Sequence, residues 1–136
     1  MNARSIVTRA AVGAGTLAGV AALVLGGSGV ASAETARSTV WSNSCSGSLM
    51  TEYVSGGGGW QVRNYVNNSN GGTTCSGWID WAPDGDTNHF YGLQNRIWVD
   101  AWNTQESTYI PDNDPALARV CVQAKGDNTA RCSAWW

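Results

Sequence analysis

The chain has 136 residues, with eight basic against ten acidic side chains, eight tryptophans, four cysteines, one histidine and seventeen glycines. A net charge of −2 with no basic cluster lacks the electrostatic footprint that nucleic acid or an anionic membrane surface requires. The length suits one domain, whose core is small enough that covalent staples matter.

The N-terminus carries Arg4 and Arg9, then an uncharged stretch over 10–30 rich in Ala, Val, Leu and Gly, then Ala31-Ser32-Ala33. A positive n-region, an apolar run and a small-x-small site together predict a cleaved secretory signal peptide over 1–33, with Glu34 as the first mature residue. A run of this length is also just able to span a bilayer, but its glycines and the cleavage site favour processing. No twin-arginine pair is present, so the general secretion route is expected, and no second apolar run follows to hold the product in a membrane. The mature chain is then 103 residues, secreted and extracellular. Without Arg4 and Arg9 it has six basic and ten acidic residues, a net charge of −4.

Beyond residue 33 no helical period of useful length appears. Short β-branched and aromatic runs alternate with Gly, Asn, Asp and Pro, the pattern of an all-β sandwich or barrel. Residues 34–44 are polar and lack alternation, and read as an extended N-terminal arm. Strands are expected at 49–54 and 60–66, separated by Gly56-Gly57-Gly58-Gly59, which reads as a mobile loop. Asn70-Gly71 is a hairpin signal before a strand at 73–81. Pro83-Asp84-Gly85-Asp86 is a turn, followed by a weak strand at 90–93 and a stronger one at 96–102. Residues 104–115 read as a long acidic loop, because Pro111 and Pro115 donate nothing to a ladder. A hairpin of 119–124 and 130–135 closes the chain. The expectation is an antiparallel β-sandwich of six to seven strands over 45–136.

Cys45, Cys75, Cys121 and Cys132 all follow the cleavage site. An even count in a short exported chain implies two disulfides, with three connectivities possible. Cys45–Cys75 and Cys121–Cys132 are favoured, since local closure costs least chain entropy and the last pair faces across the terminal hairpin. No Cys-x-x-Cys spacing occurs and His89 is the only histidine, which argues against zinc.

Period-two patterning places Ile97, Val99 and Ala101 on one face and Trp98, Asp100 and Trp102 on the other. Val62 and Val66, Ile79, and Val120 and Val122 mark the core faces of their strands. Eight indoles (Trp41, Trp60, Trp78, Trp81, Trp98, Trp102, Trp135 and Trp136) exceed what a small core holds. Rings beside an acid suit recognition, either as protein-interface anchors or as platforms for sugar rings. Trp98, Asp100 and Trp102, with Trp41 in the arm, are therefore the candidate partner-binding residues.

Catalytic and metal signals are weak. Asp84-x-Asp86-x-Asn88 has the spacing of the first three ligands of a calcium loop, but His89 stands where the motif needs Gly and Asn95 where it needs Glu. Asp112-Asn113-Asp114 reads as a solvated turn. His89 lacks a nucleophile elbow. Asp80 and Asp100 are the one carboxylate pair worth measuring, because their separation decides whether they suit glycoside hydrolysis. The expectation is a non-enzyme without cofactor.

Residues Cys45-Ser46-Gly47-Ser48-Leu49, the run Tyr65-Val66-Asn67-Asn68-Ser69-Asn70-Gly71-Gly72-Thr73-Thr74-Cys75, the pair Tyr91-Gly92 with Ile97-Trp98-Val99, and Val120-Cys121-Val122 with Cys132 carry a resemblance. Together they are similar to small secreted proteins of filamentous actinomycetes that include spore-associated proteins. Leu117-Ala118-Arg119-Val120 replaces the Ala-Gly-Pro-Val stretch of that pattern. The resemblance implies an exported, non-catalytic, surface- or matrix-associated role. The size and export also resemble the adaptor subunit of umbrella-shaped antibacterial toxin particles, which implies an arm that plugs into one partner and a face that holds another. The leading expectation is thus a secreted adaptor for an extracellular protein, with a glycan as a further partner class. The alternatives are an inhibitor of a secreted hydrolase using 104–115 as bait, and a small lectin-like or glycan-cleaving protein.

Overall fold

The computed structural model describes residues 33–136, so the signal-peptide reading lies outside the described residues except for Ala33. The described chain is all β: β1 (Thr35–Ser42), β2 (Cys45–Val54), β3 (Gly59–Asn68), β4 (Cys75–Ala82), β5 (Tyr91–Val99), β6 (Thr104–Glu106), β7 (Ile110–Pro111), β8 (Leu117–Ala124) and β9 (Arg131–Cys132). One sheet runs β1-β2-β3-β6, with β7 also on β3, and the other runs β5-β4-β8-β9. All pairings are antiparallel. Among the described residues no helix is long and apolar enough to cross a membrane.

The sheets form a sandwich because each presents an apolar stripe at period two. Leu49, Val62 and Val66 from the first sheet meet Ile79, Val99, Val120 and Val122 from the second, all but fully buried. Gly77 allows the sheets to approach here: a β-carbon on it would lie 2.2 Å from Cγ2 of Val66. Cys45–Cys75 ties β2 of one sheet to β4 of the other, and Cys121–Cys132 joins the neighbours β8 and β9. Both expected links form and no cysteine is free. Two such links belong to an oxidising environment.

Several expectations change. Residues 35–42 are not a free arm. They pair with β2 along their length, from Thr35 opposite Thr51 to Ser42 opposite Cys45, with an irregularity between Ala36 and Ser38. Their polar sequence hid the strand because most of its side chains face solvent. The glycine run is a tight four-residue connection between Val54 and Gly59, paired at its base, and Gly56 and Gly57 supply its left-handed φ of 82° and 101°. The two expected strands around 90–102 merge into β5, which absorbs register shifts against β4 through left-handed Leu93 and Asn95. The segment 104–115 is laced to β3 by β6 and β7. Pro111 is tolerated there because it sits on an edge. Nine strands therefore replace six to seven.

Candidate binding surface at one end of the sandwich

Four connections gather at one end and hold each other through main-chain bonds. The Asn68 amide donates to the Asn103 carbonyl (2.9 Å), the Ser69 amide to Ser44 (3.1 Å) and the Lys125 amide to Thr74 (2.8 Å). The buried Asn68 side chain adds two more, donating to the carbonyls of Thr73 (2.8 Å) and Val99 (3.2 Å). The Cys45–Cys75 link lies beside these turns. This end is therefore cross-braced by chain segments far apart in sequence.

All four candidate partner-binding residues lie on or beside it. Trp41 is 60 % exposed, Trp98 55 % and Trp102 73 %, and Asp100 is exposed. The expected common strand face holds for Trp98 only. β5 stops at Val99, and Asp100–Asn103 is a turn closed by the Asn103 amide on the Asp100 carbonyl (3.3 Å). Trp102 adopts a left-handed φ of 58°, which is costly for a bulky residue, and its indole lies where a Gly71 side chain would otherwise stand. The turn, rather than strand alternation, thus aims Trp102.

The surface is continuous. Trp41 lines an open groove of about 360 Å³ with Ser42, Asn43, Asp127, Asn128, Thr129 and Arg131. Asp127 also lines a second groove, which Trp98 shares with Ser76, Gln123 and Lys125. A third lies between Trp98, Asp100, Asn103 and Gln105. The Asp127 carboxylate is held in place: Ser42 Oγ donates to its Oδ2 (2.7 Å), and Asn43 Nδ2 reaches both oxygens (2.9 Å each).

Trp98 is positioned by a stack on the outer face of the second sheet. The Arg96 guanidinium lies 4.3 Å from the Trp98 ring centroid and 5.4 Å from that of Trp78, and its Nε donates to Ser76 Oγ (2.8 Å). Trp78 Nε1 donates to Asp80 Oδ1 (3.1 Å). Arg119 donates twice to Asp80 Oδ2 (2.8 and 2.9 Å) and lies under Trp135 and Phe90, at 4.6 and 5.1 Å. This ladder explains why Trp78 and Asp80 are buried although they point away from the core. It also disposes of the carboxylate pair. Asp80 is locked in an ion pair, and Asp100 lies beyond the far end of β5. Cys75 pairs with Val99, so Asp80 and Asp100 are about 20 Å apart at roughly 3.3 Å per residue, too far to flank one glycosidic bond. The Cys121 and Cys132 sulfurs lie near Asp80, but they are bonded to each other and offer no thiolate to a metal.

The calcium-like loop lies elsewhere and is satisfied by itself. Asp84 Oδ1 accepts from the Asp86 amide, Asp86 Oδ1 from the Asn88 amide, and Asp86 Oδ2 lies 2.8 Å from His89 Nδ1. The hydrogen bond to His89 draws Asp86 below the ordinary carboxylate range and raises His89 in turn. Both groups are exposed and this is a turn geometry. Nearby, Asp112 is buried with both carboxyl oxygens unpaired, and burial raises its pKa to about 6. The Trp81 indole N–H lowers it a little but makes no hydrogen bond of good geometry, so burial dominates.

Asn43, Asp127 and Arg131 escaped the sequence reading. Asn43 and Asp127 sit in connections of ordinary composition and Arg131 in the two-residue strand β9. Only the packing of the β1–β2 hairpin against the β8–β9 end of the other sheet brings them together beside Trp41. Asn43 has a left-handed φ of 51°, which an Asn at a hairpin tip signals in sequence. Comparison of the chain with family models, with characterised proteins and with solved structures finds no match.

Proposed function

We propose that the chain is an exported, non-catalytic binding module that engages an extracellular protein through the braced end bearing Trp98, Asp100 and Trp102. The observation that carries this reading is that two indoles, each more than half exposed, are fixed by a stacked arginine and by a strained turn on a rigid double sheet. Trp is the residue type most enriched in interface hot spots, and strain in an exposed aromatic turn is more often kept for recognition than for stability. Two disulfides agree with export. The role fits the adaptor type that the actinomycete resemblance implies, with one change. Arm insertion drops out, since β1 already belongs to a sheet, and the end surface takes over the contact. The bait-loop inhibitor is disfavoured because β6 and β7 tie 104–115 to β3.

The test uses tagged protein incubated with native culture fluid. The unaltered chain is expected to retain one extracellular protein in stoichiometric amount, and the Trp98→Ala/Trp102→Ala variant to lose at least about tenfold of it, as hot-spot truncation does. Equal retention by both refutes the assignment.

A further inference from the structure

We infer that the groove beside Trp41 is a binding subsite for a neutral pyranose unit of a polysaccharide. The inference does not rest on the protein contact proposed at Trp98 and Trp102.

The groove has one apolar wall and polar groups everywhere else. Trp41 supplies the wall, and Asn43, Asp127, Asn128 and Arg131 supply amide, carboxylate and guanidinium groups. An apolar peptide side chain seated there would strip water from these groups without replacing their hydrogen bonds, and each polar group left unpaired would weaken binding. A nucleotide or acidic ligand would meet Asp127 at short range. A pyranose fits the mixture. Its axial C–H face lies on the electron-rich face of an indole, and its equatorial hydroxyls form a rim that both donates and accepts. One carboxylate and one guanidinium balance in charge, which favours an uncharged ring.

The groove is also built before any ligand arrives. Asp127 is clamped by Ser42 and Asn43 and its carbonyl accepts from Gln123 Nε2 (2.8 Å). Its amide donates to the Ala124 carbonyl (3.0 Å). A carboxylate offers about four lone-pair sites and Ser42 and Asn43 occupy three, so about one acceptor position remains for a sugar hydroxyl. Arg131 is exposed and forms no ion pair among the described residues. About 360 Å³ is at the small end of ligand sites, right for one or two sugar units and an open path for the rest of a chain.

Affinity electrophoresis through gels containing xylan, mannan, dextran or a soluble chitin derivative tests the site, with indole N–H resonances reporting which ring is touched. Retardation by at least one neutral polysaccharide is expected, together with a shift of the Trp41 resonance. Trp41→Ala, an exposed change that leaves the core intact, should weaken retardation at least about tenfold, and Arg131→Ala should weaken it less. Trp98→Ala/Trp102→Ala should leave it unchanged, which separates this site from the protein contact. No retardation in any gel, equal retardation of the Trp41→Ala variant, or retardation by acidic polysaccharides alone would overturn the inference.

Discussion

At the level of single residues, side chains that look alike in sequence receive different work. Of the eight tryptophans, Trp78 is buried under Arg96 and donates its N–H to Asp80. Trp60 and Trp136 enclose the Arg37 guanidinium, at 5.3 and 4.9 Å, and only Trp41, Trp98 and Trp102 are more than half exposed. Arginines make this sorting possible, because a guanidinium stacks on rings while its fork stays hydrogen-bonded. Glycines are sorted as well. Gly77 is required by proximity rather than by φ, since its missing side chain is where Val66 of the opposite sheet fits. Gly77→Ala is therefore expected to lower stability by about 1–3 kcal/mol, read as a drop in the urea midpoint at constant slope. An unchanged midpoint would mean that the sheets part at no cost.

Among elements, strand edges and links decide what is rigid. β1 was unreadable as a strand because its hydrophobic alternation is almost absent, yet its backbone finds a full partner in β2. Its position is fixed from three sides: Arg37 between two rings, Arg37 Nε on Thr51 Oγ1 (3.0 Å), and Ser42 on Asp127. The C-terminal tail continues the second sheet, with the Ala118 and Trp136 main chains exchanging bonds of 3.0 and 2.9 Å. The two disulfides differ in reach. Cys45–Cys75 closes 30 residues across the sheets, and Cys121–Cys132 closes 11 within one. Loop-closure entropy then assigns about 3–4 kcal/mol to the first and about 3 kcal/mol to the second. Replacing Cys45 and Cys75 with Ala should lower thermal stability more than replacing Cys121 and Cys132. It should also soften the binding end, seen as faster amide exchange at 43–44 and 69–74. The reverse order would show that the local link carries the fold.

For the whole molecule, charge sets the pH at which the sandwich is most stable. Glu34 is held below the ordinary carboxylate range, first by its hydrogen bonds with Arg63 and then by the Tyr109 hydroxyl, against a partial offset from burial. Its contribution is present above the unfolded value of 4.5 and is lost as pH falls through the lower folded value. Asp112 runs the other way. Its folded pKa of about 6 exceeds the ordinary carboxyl value of 3.8, so its favourable state is fully present below about pH 4 and is lost as pH rises through 6. The two act in opposite directions, Glu34 losing its contribution in acid and Asp112 losing its own toward neutral pH. Asp112→Asn removes the cost of ionising a buried acid, and is expected to raise the melting temperature at pH 7.5 while changing it little at pH 4. An equal shift at both pH values would show that the Asp112 carboxyl ionises alike in the folded and unfolded chains.

The sequence by itself determined the class of fold and the core faces of the strands, and it favoured, among three connectivities, the two sulfur pairings that form. These follow from local causes: period-two patterning, turn residues, and the small entropy cost of closing nearby cysteines. It also marked Trp41, Trp98, Asp100 and Trp102, because rings in excess of a small core must go somewhere. Only the tertiary structure decided that 35–42 is a strand and that 104–115 is laced to β3, because backbone pairing leaves little trace in side-chain pattern. Tertiary packing alone also buried Asp80 beneath an arginine ladder, kept Asp100 far from it, and set Asp127 and Arg131 beside Trp41. Such placements join residues as distant as Ser42 and Asp127, 85 positions apart, and no rule of local spacing relates them until two sheets have closed on each other.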